Sequence, residues 1–293
     1  MIEIKNLEFK YDSTTVLKNI DLEFVANHIY GIVGANGAGK TTLLNCLGNI
    51  YYPNNGEILI NGKTAVDNLE YLRGLFLLND NTSYNNNSIV MLIKKIADLK
   101  SVDVDYSYLY QLLENLNFDK MVLISSMSKG NRKVAFIIAA LALGTKTLIL
   151  DEFLDGIDLV NRKKIKRELL NYCQNENVTI IISSHTMSDI SDICDSVILL
   201  QENTVQSMME IDDLRAKYVT YQIVLEKECS KEFFVELGLN LVKYRSFGNI
   251  HWLCINNADE QVAIINSLEF IDLKEVDISL EEVIYNEFKI SKI

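Results

Sequence analysis

The stretch "GANGAGKTT", Gly34–Thr42, follows the apolar run "HIYGIV" and opens "KTTLLNCLGNIY", whose apolar spacing predicts a helix over 40–51. It fits G-x-x-x-x-G-K-[ST] in the strand–loop–helix setting that gives this spacing its chemistry. Gly34, Gly37 and Gly39 let backbone N–H groups turn inward around phosphate oxygens, and the start of the helix adds its positive dipole. Asn36 and Thr42 belong to the same candidate loop. Lys40 is the group to bind the β- and γ-phosphates of a nucleotide, and Thr41 the one to ligate Mg2+. A second stretch, "LILDEFLDGID" at 148–158, ends an apolar strand on two adjacent carboxylates. Asp151 can reach Mg2+ opposite Thr41, directly or through water. Glu152 is then free to orient and deprotonate an attacking water. The metal and Lys40 offset the repulsion between the two carboxylates, while Asp155 reads as a solvated turn carboxylate.

Between these stretches lies "SSMSKGNRK", residues 125–133. An x-S-x-G-[QN] loop that opens a helix upstream of an apolar "DE" strand resembles the signature, LSGGQ, of the ATP-binding-cassette (ABC) ATPases. Ser128, Gly130 and Asn131 match it, with Met127 for the leucine and Lys129 for the second-position glycine. The resemblance covers residues 1 to about 204 and implies ATP and Mg2+ as ligands. It also implies a dimer, in which the signature of one subunit closes over ATP held by the phosphate loop of the other. Alone, a histidine after an apolar strand reads as structural. The resemblance instead makes His185, ending "VTIIISSH", a switch histidine that contacts the γ-phosphate. It makes Asp158 the aspartate that organises the dimer interface, and Tyr11 the aromatic that stacks on adenine. Asn79 stands where the family has a glutamine that reaches Mg2+ or the lytic water, and is one methylene shorter. "FLDGID" stands for PTNGLD, so that Phe153-Leu154 replaces Pro-Thr while Gly156 and Asp158 persist.

The elements that must position these residues are legible in the periodicity. "IEIKNLEF" and "IDLEFV" alternate as antiparallel strands, and Asn61-Gly62 is a hairpin turn. Residues 80–135 predict a helical insertion, opened by the Asn-rich "NDNTSYNNNS". From 133 to 200, helix and strand alternate as in a parallel α/β sheet. The fold class is therefore α/β, a P-loop NTPase sheet with an antiparallel β subdomain and a helical insertion. Residues 1–204 form the nucleotide-binding domain and 205–293 an accessory α+β domain, in which "VTYQIVLE" and "NIHWLCIN" alternate as strands.

A formal net charge of −12 over 293 residues argues against nonspecific nucleic-acid binding, which needs clustered cations. The basic run "NRKKIKRE" at 161–168 reads as a solvated helix face. Five scattered cysteines without a CxxC suggest neither zinc nor disulfides. The N-terminus has no signal-peptide pattern, and the longest apolar run, "VAFIIAALAL", is short of a membrane span.

The leading expectation is the ATPase subunit of a membrane exporter. It would work beside an integral-membrane permease and a second copy of itself or a paralogue, at the cytoplasmic face of the cell membrane. The tail "ISLEEVIYNEF" resembles the ending of cassettes paired with bacterial export permeases, including those for peptides, and the Asn-rich stretch is where permease contact is expected. Two alternatives are a soluble nucleotide-gated regulatory module and a degenerate cassette that binds ATP without turnover. Co-purification with a membrane protein, rather than with ribosomes or DNA, separates the first from the leading reading.

Overall fold

The computed structural model describes residues 1–79 and 87–276. Most of the Asn-rich stretch and the "ISLEEVIYNEF" tail lie outside the described residues. The chain divides into two compact units, Met1–Met208 and Met209–Ile293.

In the first unit, β1 (Ile2–Tyr11) and β2 (Thr14–Phe24) pair antiparallel, and Ile2, Ile4, Leu7 and Phe9 are buried. After β3 (His28–Val33) and α1 (Lys40–Leu47), β4 (Asn55–Ile60) returns beside β1 and turns into β5 (Lys63–Thr64). The connecting Asn61 and Gly62 have φ of 50° and 78°, the left-handed pair that a two-residue hairpin requires and that these residues tolerate. Helix α1 stops at Leu47 rather than running to 51, because Asn49 takes a left-handed φ of 56° and the N–H groups of Asn49 and Ile50 turn back to the carbonyls of Cys46 and Asn45.

The chain continues through α2 (Leu69–Gly74), β6 (Leu75–Leu78), α3 (Ile89–Lys100), α4 (Tyr106–Asn115) and α5 (Lys129–Ala142). It then alternates through β7 (Thr147–Asp151), α6 (Leu159–Glu176), β8 (Thr179–Ser183), α7 (Met187–Ser191), β9 (Ser196–Gln201) and β10 (Thr204–Glu210). The second sheet has the order β10-β9-β3-β8-β7-β6, and the run from β9 to β6 is parallel. Every residue of β7 and β8 is buried, as a parallel sheet covered on both faces demands. The sequence reading has no strand over Thr204–Glu210. There the side chains are only partly covered, so the hydrophobic signal is weak.

The basic run on α6 is more than a solvated face. Lys166 pairs with Asp189 and Asp192, each at 2.8 Å, and Arg162 lies 3.6 Å from the buried Asp189. These pairs tie α6 to α7, the helix that follows His185. Among the described residues, no helix is long and apolar enough to cross a membrane.

The second unit contains α8 (Ile211–Lys217), β11 (Tyr218–Val224), α9 (Lys231–Glu236), β12 (Leu241–Phe247), β13 (Ile250–Asn256), α10 (Asp259–Asn266) and β14 (Asp272–Val276). Its antiparallel sheet, ordered β12-β13-β11-β14, gives from β11 onward the β-α-β-β-α-β arrangement of a split βαβ unit. Ile223, Phe234, Leu253, Ile255 and Ile265 form its core. Strands β12 and β14 are absent from the sequence reading, because their side chains are mostly exposed or half-buried and charges interrupt the alternation.

Candidate functional site

Three neighbouring strands, β3, β8 and β7, deliver the candidate residues at their carboxyl ends, where an open parallel sheet places its binding crevice. The loop after β3 exposes Ala35, Asn36 and Gly37 and buries Gly39, Lys40 and Thr42. The Lys40 ammonium donates to the carbonyls of Gly34 at 2.7 Å and Ala35 at 3.3 Å. Burial lowers its pKa, and the negative charges of Glu152 and Asp151 act in the opposite direction.

The Thr41 hydroxyl donates to Asp151 Oδ2 at 2.7 Å, across 110 residues of sequence. Ser183, opposite Asp151 in the β7–β8 register, donates its hydroxyl to Asp151 Oδ1. Asp151 is thus buried with both carboxylate oxygens engaged. Thr41 and Asp151 form a pair of hard oxygen donors at the end of the phosphate loop, a donor set that fits Mg2+.

Glu152 has φ of 47°, a left-handed conformation costly for a residue with a Cβ and characteristic of functional positions. Hydrogen bonds to both its N–H and its carbonyl hold it there. Its N–H donates to the Ser183 carbonyl at 3.2 Å and to the Ser183 hydroxyl at 3.1 Å, and its carbonyl accepts from Lys133 Nζ at 2.6 Å. The Glu152 carboxylate meets His185 Nδ1 at 2.5 Å. That hydrogen bond is the main cause of a raised His185 pKa; burial and the Lys40 charge oppose it, and the charges of Glu152 and Asp155 reinforce it.

Ser128 caps α5, accepting from the Asn131 N–H at 3.2 Å. Gly130 is buried against Gly156, and a Cβ on it would lie 2.1 Å from the Gly156 carbonyl oxygen, so only glycine allows this approach. Asp158 caps α6 through the N–H groups of Val160 at 3.1 Å and Asn161 at 3.0 Å, and the Asn161 bond leads in lowering its pKa. Leu159 and Val160 beside it are exposed. Asn79, directly after β6, donates to Asn45 of α1 at 3.3 Å. Tyr11 ends β1 exposed, edge-on to Phe9 and to Tyr51 at 5.8 Å between ring centres.

Sequence reasoning missed Ser183 and Lys133. A serine closing the otherwise apolar "TIIIS" was the available signal for the first; the buried lysine gave none. Asp155 lies in the turn expected of it and is half-buried. The structure adds that its carboxylate groups with Glu152 and His185, their ligand atoms all within 4.8 Å of one another. The Phe153-Leu154 departure is also explained. Both side chains are buried, at 1% and 3% exposure, so they anchor the loop in the core.

Residues 17–155 match the profile of the ABC transporter family. The chain is 32% identical to an uncharacterized ABC transporter ATP-binding protein, YybJ, of Bacillus subtilis, over 72% of this chain and 97% of that one. It is 24% identical to the ABC transporter ATP-binding protein YtrB of the same organism, over 98% of each chain. The bacitracin transport ATP-binding protein BcrA of Enterococcus faecalis is 29% identical over 75% of this chain and 73% of its own. Relatives named for import match as well, such as the methionine import protein MetN of Clostridium tetani, 28% identical over 73% of this chain and 70% of its own. Among solved structures, the ATP-binding subunit of an ABC transporter superposes with a TM-score of 0.66 at 22% identity, over 73% of this chain and 92% of that one.

Proposed function

The chain belongs to the family of ABC transporter ATP-binding proteins, ABC ATPases that act with membrane permease subunits, and from that premise we propose that it powers an exporter. The observation that carries the hydrolytic reading is the convergence of two pairs, Thr41–Asp151 and Glu152–His185, at the ends of adjacent strands. ATP is the substrate. Gly34, Asn36, Gly37, Gly39 and Thr42 frame its phosphates, Lys40 turns from loop carbonyls to the β- and γ-phosphates, and Tyr11 stacks on the adenine with Tyr51 bracing it.

When bound, Mg2+ neutralises charge between the β- and γ-phosphates. Thr41 and Asp151 would hold it, and Asn79 extends the same edge. Ser183 fixes Asp151, so the metal-facing oxygen is oriented in advance. Glu152 takes the proton of the attacking water, its backbone held by Lys133 and Ser183, and His185 donates toward the γ-phosphate. Ser128, Gly130 and Asn131 cover the nucleotide of a second cassette, and Asp158 lies at that junction beside the exposed Leu159 and Val160. Much of the rate then comes from charges positioned before the reaction.

The protein acts at the cytoplasmic face of the membrane, held there by its permease. Export is favoured by the bacitracin-transport relative, whereas the import relatives show that the cassette alone does not dictate direction. Inside-out vesicles carrying the cassette and its co-purified permease test the reading. ATP-dependent accumulation of cargo with the wild type, lost with Glu152→Gln, supports export; accumulation only in right-side-out vesicles loaded with ATP contradicts it.

A further inference from the structure

We propose that Asp189 is a positioning residue, whose buried carboxylate fixes the turn that carries His185 and so sets the histidine against Glu152. The inference rests on the ATPase reading above and deepens it.

His185 does not hold itself in place. Its side chain is half-exposed, and it lies between the end of β8 at Ser183 and α7, a helix of five residues. So short a helix gains too little from its own hydrogen bonds to fix its direction, and side-chain contacts must do so. Met187 and Ile190 are buried on α7, but apolar contacts are non-directional. The turn itself is closed by the Thr186 N–H on the Ser184 hydroxyl at 3.0 Å and by the Asp189 N–H on the Thr186 carbonyl at 3.1 Å. Asp189 therefore stands at the joint between the histidine's turn and α7.

The Asp189 carboxylate is directed onto α6. It meets Lys166 Nζ at 2.8 Å and Arg162 Nη1 at 3.6 Å, and its side chain is 7% exposed. Arg162 also donates from Nε to the Ile157 carbonyl at 2.9 Å, in the loop that runs from Glu152 to Asp158. One carboxylate thus joins the turn of His185, the first half of α6 and the loop that follows the base. Burial works to lower the Lys166 pKa, but its bonds to Asp189 and to the exposed Asp192 outweigh that and raise it.

Stability alone does not account for such a pair. Replacing a buried ion pair by apolar groups of similar volume is commonly neutral or stabilising, whereas its directional bonds specify one arrangement. The arrangement specified here is the one that brings His185 Nδ1 to 2.5 Å from the Glu152 carboxylate.

Two readings test the proposal: phosphate release by the full chain with its permease, and histidine-selective NMR titration of the free chain, whose three histidines keep the spectrum tractable. Asp189→Leu combined with Lys166→Met exchanges the pair for apolar side chains at unchanged net charge, so the melting temperature should hold. We expect kcat to fall about tenfold, since a misplacement of ~1 Å can cost about 100-fold. KM for ATP should stay within about twofold, because the phosphate loop is untouched. The His185 midpoint, raised chiefly by its bond to Glu152, should fall back toward 6.5. Asp192→Asn removes a charge from the same lysine without touching the turn, and should leave both readings unchanged. A double variant with wild-type kcat and midpoint, or an Asp192→Asn that moves them as far, overturns the proposal. If the double variant melts early, Asp189→Asn, which keeps the side chain's shape, is read against the same outcomes. If the ATPase reading fails instead, His185→Ala hydrolyses ATP like the wild type whatever the titration shows.

Discussion

His185 and His251 are the same side chain put to opposite uses. His185, half-exposed in the first unit, is bonded to a carboxylate that favours its charged form. Among the described residues, His251, fully buried on β13 in the second unit, has only neutral neighbours in hydrogen-bond reach. Tyr244 donates its hydroxyl to the Cys229 carbonyl at 3.1 Å, so its oxygen accepts from His251 Nδ1–H at 3.0 Å. The other nitrogen, Nε2, is buried with no hydrogen-bond partner among the described residues, and Phe234 packs edge-on against the ring. Burial lowers the His251 pKa, and the charge of Glu228 opposes it. One histidine is held toward its charged form by a carboxylate, the other toward its neutral form by a core.

Exchanging the two should break the contrast most visibly in turnover. His185→Ala is expected to slow ATP hydrolysis by about 100-fold, the scale of losing one donor to developing charge, while His251→Phe leaves kcat unchanged. Steady-state phosphate release for both variants checks this. A second test asks how far the catalytic unit depends on its packing. Gly130→Ala forces a methyl against the Gly156 carbonyl and should destabilise the chain by roughly 1–3 kcal/mol, visible as a lowered melting temperature, with loss of turnover as Ser128 shifts.

The smallest effect concerns acid stability. A folded His251 held neutral means that the unfolded chain binds the extra proton first, so its contribution to stability is complete above the unfolded pKa near 6.5 and declines as pH falls below it. His185 has the opposite sign. Its raised pKa stabilises the fold below the unfolded value, and that contribution fades as pH rises through the folded one, muted by its exposure. Thermal denaturation between pH 7.5 and 5.5 should show a loss on the order of 1 kcal/mol that His251→Phe removes.

What the sequence makes legible follows from how each residue acts. Glycines and Lys40 at fixed spacing, and Asp151-Glu152 closing an apolar strand, are local patterns, so they can be read directly. The four interior strands of the parallel sheet, β9, β3, β8 and β7, are equally readable because burial on both faces makes them continuous apolar runs. Ser183 and Lys133 act through tertiary contacts to Asp151 and Glu152, and no local pattern marks them. Asp155 reads as a turn carboxylate and is one; its nearness to His185 depends on β8, so no local pattern shows it. Strands β10, β12 and β14 escaped because their side chains are largely exposed or half-buried, which blurs the alternation.

The central claim, that Glu152 is the base of an ATP site built by β3, β7 and β8, is tested most directly in the purified chain carrying Glu152→Gln. The expected result is ATP binding retained, a stable ATP-bound dimer in sedimentation, and hydrolysis reduced by about 100-fold or more. Hydrolysis by this variant at the wild-type rate, in the presence of the permease, would contradict it.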